Sequence, residues 1–522
     1  MMMQPLNQTP SGRGEVSKGA TVPAPLRGWN TRDPLANMRQ DYAITLDNWL
    51  PDTGTIAVRP GATDWETGFA SRVKTVMAWN GTASSKLFGV TDSGIFDATA
   101  GGAVGATVQA RTNGYLCHIN YTTTGGSYLV TVNGTDDLAY TNGTTWTTIA
   151  NFSISGGGTI NTNLIWNLNT FKRSIYFIKK ESMSFFYLPI DSITGTVSEF
   201  PLGALFNKGG KLMAMGTWTV DGATGQEDYS VFITSKGQAA VYLGTDPSSA
   251  TTWVLKGVFN LSPPLGRKCF CQFGGDLLVL TVRGLFSMTN ILKAAKMSDQ
   301  GALSAVIGEA FVASANALPE AEGWEVIEYP QYNVLICNIP MHATNGTAQQ
   351  YVMNTQTNAW CRFLGWDTGG FCFYNAILYG GKSTAIGKYF QLTTDFGSAI
   401  TCNAKVAFNY YTPRSRVKDW KALRANLTIG GVCAVNMALD TDFSTDATYG
   451  AAVFNSSATT RWDTGIWDTS QWSAEPTPRV EWVTVAANAS YCSAIRLRVI
   501  AYDCTVEWSA TDVIYEVGTL LG

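Results

Sequence analysis

The sequence predicts an all-β fold: a β-propeller of about six or seven blades, with a β-sandwich-like platform built from the chain ends. Three observations carry this. Charged residues make up only 14% of the chain and aromatics 12%. The polar surface therefore falls to Thr, Ser, Asn and Gly, which suit strands and turns better than helices. Strand–turn–strand patterns recur along the middle of the chain. Asn-Gly pairs recur with them, and type I′ hairpins favour that dipeptide because both central residues need positive φ.

Residues 84–102, SSKLFGVTDSGIFDATAGG, give the pattern in its simplest form. Leu87, Phe88 and Val90 form an apolar run, Thr91 to Gly94 a turn, and Ile95 and Phe96 the return. A lone hairpin is marginal in water, so other copies must cover it. Comparable hairpins start near Lys86, Tyr128, Ser174, Ser230, Leu277, Asn333 and Ala376, at spacings of 42, 46, 56, 47, 56 and 43 residues. A period of about 40–50 residues with several strands per repeat marks a propeller. Trp146, Trp253 and Trp360 each close a Thr- or Asn-rich turn within these repeats. Residues 291–311 break the pattern and read as two short helical turns in a blade connection, interrupted at Gly301.

At 522 residues the chain exceeds one compact core. The reading divides it into a flexible N-terminus (1–22), an N-terminal platform segment (23–70), a propeller (71–397) and a C-terminal β domain (398–522) that packs with the N-terminal segment. Inside that last part, RSRVKDWKALR carries Arg414, Arg416, Lys418, Lys421 and Arg424. Alternation places the first three on one strand face. They serve either as a charged, protected edge or as an interface for an acidic partner or a DNA backbone.

Other classes are narrowed by composition. A net charge of −3 gives no global basic field for nucleic acid. Two histidines, His118 and His342, rule out multi-histidine metal sites, and both read as packed or surface residues. No cofactor motif stands out. The ten cysteines contain no CxxC pair, and bridging Cys269 to Cys271 would be strained. Free, buried thiols and folding in a reducing cytoplasm are expected. The N-terminus lacks the apolar core of a secretory signal, and no apolar run reaches membrane-spanning length.

The segment 26–61 contains LRGWNTRDPLANM, then AITLDNWLPDTGTIAVRPG. It resembles the opening of tail hub or nozzle proteins of short-tailed bacteriophages, those of β-propeller type in the podovirus tail tube. The residues that carry the resemblance are Gly28, Asn30, Arg32, Asp33, Leu46, Asp47, Asn48, Trp49, Pro51, Gly54, Arg59, Pro60 and Gly61. The resemblance implies a non-enzymatic virion protein, made in the bacterial cytoplasm and built into the tail. It implies a six-fold ring below a tail adaptor that extends the DNA channel and opens for genome ejection, with the propeller outside a central tube. The partners implied are further copies, the adaptor, a tail fibre or spike, transient double-stranded viral DNA and the host surface.

Two other classes are weighed against it. A receptor- or carbohydrate-binding propeller on the tail would need no chemistry. A tail glycosidase would need paired carboxylates at the propeller axis. Asp92, Asp136, Asp137 and Asp276 are candidates, yet each sits in a turn where Asp serves the backbone.

Overall fold

The computed structural model describes residues 17–222, 225–249, 251–294, 301–319, 321–340, 348–444, 449–455, 477–479, 481–485 and 487–518. The molecule is all-β, a β-propeller joined to a platform made by the two chain ends. Seven innermost strands stand around one axis: Thr75–Asn80, Cys117–Thr123, Ile165–Phe171, Leu212–Gly222, Phe270–Phe273, Glu325–Tyr329 and Phe371–Tyr374. Each opens an antiparallel blade, numbered 1 to 7 in that order. The seven hairpins read from the sequence fall on the second strands, such as Ser85–Thr91 in blade 1 and Val334–Ile339 in blade 6. Trp146, Trp253 and Trp360 each begin a fourth strand.

The blades hold together through separate apolar seams. Met77, Phe88 and Leu129 pack between blades 1 and 2, and Val130, Phe152 and Phe177 between blades 2 and 3. Phe185 stacks on Phe232 at 4.4 Å between blades 3 and 4. Between blades 5 and 6 the chain forms the helices Met288–Ala294 and Gly308–Ala317. They lie somewhat wider apart than the two helical turns expected over 291–311.

The strand Ala62–Thr67, which the sequence reading leaves in the N-terminal segment, instead closes blade 7 by pairing with Ala385–Tyr389. Lys18–Pro23, placed in the flexible N-terminus, is a strand paired along residues 510–515. Both pairings join parts of the chain hundreds of residues apart, which no local pattern announces. Residues 1–16 and His342 lie outside the described residues.

Two long strands, Lys418–Thr441 and Ser493–Val517, run antiparallel and form the spine of the platform. At about 3.3 Å per residue each spans roughly 80 Å. Register shifts at Trp420/Ala422, Asn426/Leu427 and Gly430/Val432 curl this ribbon. Ser493–Val517 also pairs with Lys18–Pro23, Ile56–Val58 and Ile400–Val406. Ile400–Val406 pairs with Ala43–Asp47, which reaches the outer strand of blade 6 through Asp47 and Arg362. Blade 6 and the platform are thus one continuous sheet. The ten cysteines are free thiols, and nine of them are buried.

One polar group in the closing strand stands out. Glu66 is 2% exposed and its Oε2 has no hydrogen-bond partner. Burial, helped by the charge of Asp97, pushes its carboxyl up to about 7 from 4.5. As pH rises between these values, the unfolded chain releases this proton while the folded chain keeps it, so stability falls. Glu66→Gln is expected to remove that fall and to stabilise the protein by about 2–3 kcal/mol at slightly alkaline pH. Urea unfolding midpoints measured across this pH range check it; parallel curves for the two proteins would contradict it.

Candidate functional site

The residues that carry the sequence resemblance converge on one junction. Asn48 takes a left-handed conformation, φ 61°, between the strands Ala43–Asp47 and Trp49–Pro51. That turn aims its amide inward. Its Oδ1 accepts from Arg59 Nε and from Leu364 N, both at 2.8 Å, and its Nδ2 donates to Thr401 O at 2.8 Å. Arg59 is fully buried. Its guanidinium forks onto Asp395, donates to Leu364 O at 2.8 Å and to Pro60 O at 3.1 Å, and lies over Trp366 at 4.5 Å. Trp366 Nε1 donates to Asp395 Oδ1 at 3.0 Å.

The other motif residues brace this junction. Asp47 accepts a two-pronged contact from Arg362 at 2.7 and 3.0 Å. Trp49 is buried against Trp508 of the long ribbon, with ring centres 5.9 Å apart. Pro51 O accepts from Asn354 Nδ2 at 3.0 Å. A side chain on Gly61 would put its Cβ 2.0 Å from Thr394 O. On Gly28, at φ +82°, a Cβ would lie 2.3 Å from Trp360 O. Asn30 Oδ1 accepts from the backbone N–H of Arg32 and of Asp33, and Arg32 pairs with Asp33 at the surface. The motif therefore joins the N-terminal segment, blades 6 and 7 and the C-terminal strands. Sequence reading marked Asn48 and Arg59 but missed Asp395 and Arg362, because their partners are over three hundred residues away.

The basic stretch does not form one charged strand face. Arg414 and Arg416 lie in an exposed turn before the long strand begins at Lys418. Lys418 is buried; its Nζ donates to Arg416 O at 2.8 Å and Tyr491 O at 3.2 Å, and burial lowers its pKa. Lys421 pairs with Asp419 and Glu516. Arg424 pairs with Asp512 at 2.7 Å and lies over Trp482. Of these five, Arg414, stacked on Tyr410 at 3.9 Å, Arg416 and the carbonyl-bound Lys418 lack an ion pair among the described residues.

At the propeller axis, Arg267 of blade 5 is buried and donates to Asn133 O, Trp166 O and Tyr115 O in or ahead of blades 2 and 3. Blade 2 lies across the ring from blade 5, so the side chain reaches over the axis. It pairs with Glu322, and Lys268 beside it pairs with Glu325, both at 3.0 Å. The cavity they enclose is about 20 Å³, room for about one water. His118 is half-buried nearby, and its Nδ1 has no hydrogen-bond partner among the described residues; burial and then the charge of Lys268 push it down to about 3. Its imidazole is therefore neutral near pH 7.

The candidate carboxylates serve turns. Asp92 accepts from Gly114 N and pairs with Lys74. Asp136 accepts from Thr112 and Asn133, and Asp276 from Leu277, Ser287 and Thr289. Asp137 holds Arg111 through its main-chain carbonyl. Among the described residues no cluster of His, Cys, Asp or Glu could hold a metal ion.

No family model and no curated protein matches the chain. Among solved structures it is similar to BBS1N in complex with ARL6DN, at 10% identity and a TM-score of 0.39, over 64% of this chain and 97% of that one. It is similar to the β-propeller domain of Cps50 (Swd1) from Myceliophteria thermophila, at 8% identity and 0.35, over 64% and 99%. A glycoside hydrolase family 43 arabinoxylan arabinofuranohydrolase from Bacillus subtilis aligns at 8% identity and 0.25, over 90% and 94%. At these scores the likenesses carry no argument about activity.

The junction yields a direct test. Arg59→Ala strands the Asp395 carboxylate inside the protein and is expected to cost about 3–5 kcal/mol. The double change Arg59→Met/Asp395→Leu removes both charges and should recover much of that loss. Chemical denaturation of the three proteins measures it; equal losses for single and double variants would show that the ion pair is not what the junction depends on.

Proposed function

We propose that this protein is a non-enzymatic structural subunit of a short bacteriophage tail. Copies assemble into a ring, six-fold by the resemblance, that lengthens and gates the channel for DNA ejection. The observation that carries the reading is the platform ribbon. Two paired strands of 24 and 25 residues far exceed the usual strand of about 5–6 residues. One face of the ribbon is buried in the chain's own core through residues such as Leu423, Leu427, Val435 and Val499, and its length suits a stave in a wall shared between copies. The motif of residues 26–61, which carries the resemblance, is built into the same platform.

The propeller axis supports the reading from the other side. Arg267 and its partners fill part of it, and on this reading the channel for a duplex lies between chains, along the platforms. The chain's net charge of −3, repeated around a ring, suits a lining that lets a polyanion slide, because phosphate contacts accumulate steeply with each added cation. The turn-capping duties of Asp92, Asp136 and Asp276 speak against a glycosidase.

Native mass measurement and negative-stain imaging of the purified chain test this. A closed ring with a central opening, which also binds tail-less particles, is expected. A monomer that binds polysaccharide would favour the receptor-binding reading, and one that cleaves it would favour the glycosidase.

A further inference from the structure

Between the loop 36–40 and the segment 408–414 lies an open groove of about 440 Å³. Met38 and Phe408 are buried at its base. Arg39 and Arg414 stand on opposite sides, with Asn37, Gln40 and Tyr410 between them. Arg414 is held over the Tyr410 ring at 3.9 Å, which fixes the guanidinium while leaving its donors open. Arg39 shares the single carboxylate of Asp41 with Arg27. Arg416 follows in the same exposed turn as Arg414. Two guanidinium groups, those of Arg27 and Arg39, thus share one carboxylate, while Arg414 and Arg416 have no ion pair among the described residues, on a chain of net charge −3.

We infer that this groove seats a carboxylate-bearing surface segment of a neighbouring copy of the same chain. The inference rests on the ring reading above and names the contact through which the ring closes. Three features favour this occupant. A guanidinium presents a planar fork that matches a carboxylate with two parallel hydrogen bonds. The chain carries 39 carboxylates against 36 cations, so another copy can supply a carboxylate to the groove. A groove on one side that accepts a different patch from the next copy is a heterologous contact, the type that generates rings. Duplex DNA fits less well, because tracking a backbone takes a stripe of cations and only Arg39 and Arg414 line this groove.

The test uses the purified full-length chain. Association of the wild type is measured by sedimentation and compared with the triple variant Arg39→Ser/Arg414→Ser/Arg416→Ser. All three positions are exposed, and matching thermal unfolding of the variant confirms its fold. Association is expected to weaken at least about tenfold in the variant, and to weaken in the wild type as salt rises from about 0.1 to about 0.5 M. As a second arm, Arg414→Lys is treated with a carbodiimide. This activates an adjacent carboxyl, the amine attacks it, an amide forms, and the carboxyl oxygen leaves with the urea. Mass spectrometry is expected to find position 414 joined to an Asp or Glu of a second copy. Rings that form equally well in the triple variant, with no such cross-link, would overturn the groove assignment and leave the ring reading standing. A chain that never associates would overturn both. Duplex DNA binding lost in the triple variant while association is unchanged would reassign the groove to nucleic acid.

Discussion

The fold depends on one buried ion pair at the junction of its two halves. Arg59 comes from the N-terminal segment and Asp395 from the chain leaving blade 7. A guanidinium enclosed by Trp366, Phe363 and backbone carbonyls is tolerable only when every donor has an acceptor, and here Asn48, Pro60, Leu364 and Asp395 together supply them. The same contacts fix the exit of blade 7 relative to the entry of the platform. Geometry at this point therefore sets the angle at which the propeller hangs from the ribbon.

From that junction two mechanical parts extend. The propeller is divided into wedge-shaped blades whose apolar seams are largely independent, except that Arg267 ties blades 2, 3 and 5 across the axis. The platform is the opposite: a single curled sheet in which both chain ends and blade 6 share hydrogen bonds. The largest apolar core runs from Trp49 and Trp508 through Trp360 into blades 4 to 7. The platform is thereby packed against one side of the propeller, while blades 1 to 3 stand outside that core.

The legible part of the sequence was the middle of each blade. Second strands such as Val334–Ile339 and Asp276–Thr281 are covered on both faces by neighbouring blades, so they read as apolar runs bounded by turns. Outer strands such as Trp146–Ile149 are mostly exposed and polar, and carry little signal. The closing strand Ala62–Thr67 was assigned to the wrong part because its identity lies in its partner, not in its own residues. The same holds for the site. Asn48, Arg59 and Gly61 could be picked out as a pattern, but Asp395 and Arg362 are ordinary residues until the fold brings them there. At Lys418 alternation misled. The turn at residues 414–416 precedes the strand, and burial of the lysine amine is decided by carbonyls of Arg416 and Tyr491.

The way blade 7 is closed imposes an order on synthesis. Ala62 pairs with Tyr389 and Thr67 with Ala385, so the first-made strand of the propeller waits for nearly the last. At about 5–20 residues per second, tens of seconds separate their emergence from the ribosome. During that interval Ala62–Thr67 is an unpaired edge, and blades 1 to 6 form an open arc with an uncovered face at each end. The platform waits longer still, since Lys18–Pro23 pairs with residues 510–515. Nascent chains of this protein are thus exposed to mispairing with one another for most of the span between these strands, and the arrival of Ser493–Val517 is what ends that exposure.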